Sequence, residues 1–124
     1  MGDVVFTDRE LDIMGVLWEH GPSTVADVRE RLTDALAYTT VLTILRTLEE
    51  KGHVDHEEEG RAYRYHALVE RDEAQGSALD HLTKKLFAGS TELLVSHLVA
   101  DRNLSDDELE RIRRLLDERI GGDP

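Results

Sequence analysis

Thr39, Thr40, Thr43, Arg46 and Thr47 crowd into one short stretch and set hydrogen-bonding groups among apolar residues. A threonine hydroxyl donates or accepts beside a methyl group, and arginine offers a rigid fork of donors matched to phosphate or guanine. These groups recognise a partner rather than make or break bonds. Among them, Val41, Ile44, Leu45 and Leu48 fall at i, i+3, i+4 and i+7, the spacing of a buried helix face. At about 100° per residue, Thr39, Thr43, Arg46 and Glu50 then point outward, with Thr40, Leu42 and Thr47 on the flanks. A helix whose outer face only meets water more often carries Glu, Lys, Gln and Ala, because threonine loses side-chain freedom in a helix. Short polar side chains suit a helix lying in the major groove of duplex DNA. The stretch therefore reads as a recognition helix over about 37–51. Gly52 is placed to end it in the left-handed conformation, and Lys51 adds a cation at its last turn.

Other elements must hold that helix in place. Thr7-Asp-Arg-Glu10 has the pattern of a capping box, with acids suited to the positive end of the helix dipole. Leu11, Met14, Leu17 and Trp18 continue it as a first helix to about Glu19, which His20-Gly21-Pro22 ends. Trp18 lies on the apolar stripe, so a core role outweighs an exposed one. Val25, Val28 and Leu32 mark the inner face of a second helix of about ten residues. With the connection Thr33–Ala37, the second helix and the recognition helix make a helix-turn-helix. From His53 to Leu68 the pattern alternates: Tyr63 and Tyr65 share one face, and Ala62, Arg64 and His66 the other. Glu59-Gly60 supplies a turn, so a two-stranded hairpin is expected, a wing on which Arg61 and Arg64 reach phosphates. Glu57, Glu58 and Glu59 oppose that approach. A winged-helix protein-interaction module that never meets DNA is the alternative.

After Val69 the helical period returns, with Leu79, Leu82 and Leu86, then Leu94 and Leu98 after Gly89-Ser90. Ser105-Asp-Asp-Glu108 is a second capping box, and Leu109, Ile112, Leu115, Leu116 and Ile120 follow to Gly121-Gly122. Short helices with such stripes leave apolar surface over. A second copy would cover it at Leu79, Leu82, Leu86, Leu94, Leu98, Leu109, Ile112 and Leu116; folding back onto a monomer is the other solution. A two-fold pair is preferred because it doubles the contacts of one reading helix. The expected fold is mainly α with a small β-hairpin. Residues 1–68 form an N-terminal winged helix-turn-helix and residues 69–124 a C-terminal helical dimerisation domain.

The formal net charge of −12 weighs against a nucleic-acid partner. Residues 1–67 alone carry 7 basic against 14 acidic side chains. Fields act within a Debye length of about 8–10 Å, however. Arg46, Lys51, Arg61 and Arg64 would form a narrow basic strip on an acidic body. With no cysteine there is no disulfide, thiolate metal site or cysteine nucleophile. No leader and no membrane-spanning run are recognisable, so a cytoplasmic protein is expected. No phosphate loop, nucleophile elbow or metalloprotease helix marks an enzyme, and no cofactor is expected. Six histidines raise the question of a metal. His56 could face His66 across the hairpin, but alternation turns Asp55 and Glu57 away from His56, so no closed ligand set is expected.

The order of elements and several strings resemble the penicillinase-repressor family of winged-helix transcriptional regulators, the group of the BlaI, MecI and CopY repressors. The strings are Leu17-Trp18, Ala37–Leu45, Lys51-Gly52, Tyr63-Arg-Tyr65 and Leu104–Glu108. The likeness runs from about Thr7 to Ile120. It implies a homodimeric repressor on an inverted-repeat, double-stranded operator, with the C-terminal helices as the interface. Thr40 and Thr43 match family positions in the reading helix, Tyr38 occupies its start, and Arg61 and Arg64 match the wing's contact region. Two positions depart: many relatives place Arg at Thr47, and some carry a basic residue at Leu42. Both bear on the operator sequence rather than the binding mode. In antibiotic-responsive members a sensor-linked regulatory protease cuts an Asn-Phe bond, which aligns here with His97-Leu98. The paired cysteines of the copper-responsive members are absent.

Overall fold

The computed structural model describes residues 5–121. Helix α1 (Asp8–His20) begins with the expected capping box: Thr7 Oγ1 accepts the Glu10 amide at 3.2 Å, and Glu10 Oε1 accepts the Thr7 amide at 2.8 Å. Gly21 closes it at φ 78, a backbone value that favours glycine. Helix α2 (Val25–Arg31) has seven residues, fewer than expected. A second capping box, Thr24 with Asp27, fixes its start. Leu32, extended at ψ 140, ends it. Helix α3 (Tyr38–Glu50) covers the reading helix.

The hairpin of strands β2 (Val54–Glu59) and β3 (Ala62–Ala67) is present, with Gly60 and Arg61 as its two-residue loop. Gly60 takes φ 63 at the first loop position, the place where such hairpins need glycine. A short strand β1 (Ser23–Thr24) adds to it, giving an antiparallel sheet of order β1-β3-β2. Ser23 pairs with Tyr65 and Thr24 with Arg64. Two residues are too few to alternate, so no periodic signal announces β1. The register also corrects one expectation: His56 faces Tyr65 and His66 faces Asp55, which puts the two imidazoles on opposite faces.

The core gathers Ile13, Met14 and Leu17 of α1, Val25 and Val28 of α2, Val41, Leu45 and Leu48 of α3, and Val54 and Tyr65 of the sheet. Ile44 and Leu42 are half-buried at its edge. Trp18 packs against this core, as its place on the stripe implies. Its indole Nε1 donates to the Val69 carbonyl at 2.8 Å, and its ring meets Phe6 edge-on and the Arg71 guanidinium. Beside the core runs an ion pair with one buried partner. Lys51 Nζ donates to Glu10 Oε2 at 2.8 Å, and the Glu10 side chain is only 5% exposed. Burial raises the Glu10 pKa, but hydrogen bonds from Lys51 and Thr7 and the Lys51 charge outweigh it, so the net shift is downward.

Helix α4 (Arg71–Leu86) follows. The chain forms two compact units, one ending at Leu79 and the other beginning at Asp80, so α4 runs from one into the other. The second unit also holds α5 (Thr91–Val99) and α6 (Asp106–Gly121). Ser90 caps α5, and Ser105 with Glu108 form the expected box before α6. The Gly122 half of the expected glycine stop lies outside the described residues. Leu94 is buried and Leu109 and Ile112 are half-buried. Leu82, Leu86, Leu93, Leu98, Val99, Leu115, Leu116 and Ile120 are exposed, Ile120 at 82%.

Two outcomes follow from this packing. Leu45→Ala leaves a cavity at a fully buried site and should lower unfolding free energy by about 2–5 kcal/mol in urea denaturation. Glu10 has its ordinary value near 4.5 lowered in the folded state. Its stabilising contribution is therefore complete above that value and is lost as pH falls through the lowered one. Lys51→Met should flatten the loss of stability below about pH 4.5 in acid denaturation curves.

Candidate nucleic-acid interface

Burial of Val41, Leu45 and Leu48 turns the opposite side of α3 outward, and Thr39, Thr40, Thr43 and Arg46 are exposed there. The threonine hydroxyls are already partly engaged. Thr43 Oγ1 donates to the Thr39 carbonyl at 2.8 Å, and Thr47 Oγ1 donates to the Thr43 carbonyl at 3.0 Å. Their protons are spent on the helix backbone, which leaves oxygen lone pairs and methyls as their free groups. Those groups suit the amino groups of adenine or cytosine and the methyl of thymine. Thr47 is half-buried, and Leu42 gives most of its surface to the core.

The start of α3 differs from the starts of α1 and α2. Ala37 makes no side-chain cap, and its first turn has no acid, whereas threonines with reciprocating acids close the other two helices. Uncapped amides at a positive helix end suit a phosphate. Tyr38 stands exposed beside them.

The four expected cations divide into two kinds. Arg46 and Arg61 are exposed and make no hydrogen bond or ion pair with the described residues. Lys51 is held by Glu10. Arg64 is held by Glu59 and by the Pro22 carbonyl, which its Nη1 reaches at 3.1 Å. The hydrogen bond and charge of Glu59 raise the Arg64 pKa further. Lys51 and Arg64 thus brace the scaffold: one ties α3 to α1, the other ties the wing to the turn before β1. Neither role is readable from local spacing, because the partners lie 41 and 42 residues away. Glu57 and Glu58 are exposed near the wing tip.

Between α3 and the wing lies an open groove lined by Thr43, Arg46, Thr47, Glu49, His56 and Tyr63. Tyr63 is exposed and packs at a tilt against His56, with a centroid distance of 4.6 Å. His56 Nδ1 in turn lies 2.6 Å from Glu49 Oε1. Tyr63 and Glu49 were outside the expected contact set. Tyr63 follows from strand alternation once the groove side of the wing is known; Glu49 needs the packing of α3 on β2. Burial, then the Glu49 charge, pushes the Tyr65 phenol beneath this groove up from its ordinary value.

The chain is similar to known proteins over most of its length. The family model for the penicillinase repressor matches residues 6–118. The transcriptional regulator BlaI of Mycobacterium tuberculosis is 36% identical over 119 residues, covering 93% of this chain and 85% of its own. The methicillin resistance regulatory protein MecI of Staphylococcus aureus is 23% identical over 115 residues, covering 91% of this chain and 94% of its own. Among solved structures, the monomeric form of Bacillus licheniformis BlaI in complex with the blaP half-operator is similar at a TM-score of 0.50 and 28% identity. That similarity covers 58% of this chain and 90% of the other. On the match across nearly its whole length, the chain belongs to the penicillinase repressor family.

Proposed function

We propose that this chain is a transcriptional repressor that binds a double-stranded operator, with α3 in the major groove and the wing against the neighbouring backbone. The observation that carries it is the outward face of α3: Thr39, Thr43 and Arg46 stand exposed on a helix fixed by its other side, in a chain related to repressors. Arg46 is the strongest candidate for reading a base, and Thr39, Thr40, Thr43 and Tyr38 line the same surface. Arg61 is the wing's free cation, while Arg64 and Lys51 set the positions of wing and helix.

A homodimer on an inverted repeat follows from the exposed leucines of the second unit, which water penalises until a second copy covers them. No described helix is long and apolar enough to cross a membrane, and a cytoplasmic operator is the setting proposed. Release by a sensor-linked regulatory protease would fall at His97-Leu98. That pair lies within α5, where Phe87 packs on His97 at 5.5 Å, so the helix must open before a protease can hold it extended.

Three measurements check this. With fragments selected from the source genome, log K against log salt should fall with a slope of about −3 to −5, since few free cations per chain meet phosphate. A flat response favours the protein-interaction module. Arg46→Ala should cost about 1–3 kcal/mol of operator affinity and leave the denaturation midpoint unchanged. Leu98→Glu and Leu116→Glu should each shift the sedimentation coefficient from dimer to monomer.

A further inference from the structure

We infer that Glu49, Asp55 and His56 form a divalent-metal site, fitted to zinc, where the last turn of α3 meets β2. One ligand atom from each residue lies within 4.8 Å of the others. Among the described residues, no other three His, Asp or Glu side chains converge in this way. Zinc bonds of about 2.0–2.2 Å in a tetrahedron space the ligands roughly 3.4 Å apart. The trio therefore closes on an ion by side-chain rotation, with Glu49 Oε1 and His56 Nδ1 parting from 2.6 Å by roughly 1 Å or less.

Two features prepare the site. The His56 ring packs against Tyr63 at 4.6 Å and Tyr65 at 5.2 Å, which fixes the direction of its Nδ1. The Asp55 side chain starts on the other face of the strand, but its Oδ1 accepts the His56 amide at 2.8 Å, which brings the carboxylate back toward the imidazole. Alternation alone predicts the reverse. Glu49 and His56 are about one-third exposed and border the open groove beside α3, so water can complete the coordination.

The donor set chooses the ion. Two carboxylates balance a dication, and an imidazole nitrogen favours zinc over calcium, which takes oxygen alone. Arg46 lines the same groove, and its charge opposes a second cation, so moderate affinity is expected. A bound ion would tie α3 to the wing and stiffen the angle between them. That consequence rests on the proposed operator binding; the site itself does not.

Zinc titrated into the full chain, followed by calorimetry, tests it. One ion per chain is expected, with binding weakened at least tenfold in both Glu49→Gln and His56→Gln and unchanged in His20→Gln, at the end of α1. Far-UV circular dichroism checks the fold, and Glu49→Gln decides should His56→Gln unfold. Absence of stoichiometric binding, or binding that survives in Glu49→Gln, overturns the proposal. Operator affinity measured with and without zinc then tests the stiffening separately, so a failure to bind DNA leaves the metal result standing.

Discussion

Everything at the reading surface depends on how α3 is held from behind. Val41, Leu45 and Leu48 are fully buried in one cluster with Ile13, Met14, Val28 and Tyr65. Burying a side chain of this size contributes about 1.5–3 kcal/mol, and three at helical spacing fix the helix's rotation as well as its position. A helix rotated by one residue would turn by about 100° and carry Arg46 toward its own protein. The same packing therefore determines which side chains a partner can meet.

Charge then divides the work among the cations. The chain carries a net charge of −12, so acids are at hand to pair with its basic residues. Glu10 and Glu59 occupy Lys51 and Arg64, and the result is rigidity: α3 is tied to α1 and the wing to the segment before β1. Arg46 and Arg61 stay exposed and make no such pair with the described residues. The acids around them repel random duplex at distances where screening is incomplete, so association rests on close complementarity more than on a broad field. An acidic repressor is coherent on those terms.

Much of the fold was legible in the residues. Threonine three positions before glutamate gave the start of α1, serine before Glu108 gave α6, and alternation with Gly60 gave the hairpin. Each is a local rule with a short reach. What stayed hidden needed tertiary contact. Strand β1 has only two residues and exists because β3 offers an edge. The bracing roles of Lys51 and Arg64 join residues far apart in sequence. Glu49 sits on the flank of α3 and becomes notable only because β2 carries His56 under it. At the candidate interface, the residue types were readable, but the division into free and bracing cations was not.

The central claim is that the threonine and arginine face of α3 meets DNA while the C-terminal helices do not. Backbone and side-chain NMR of the full chain, titrated with a duplex selected from the source genome, addresses it most directly. Shifts concentrated at Thr39, Thr43, Arg46 and Arg61, with α6 unmoved, are the predicted result. Shifts confined to α5 and α6, or none at saturating duplex in low salt, would contradict it.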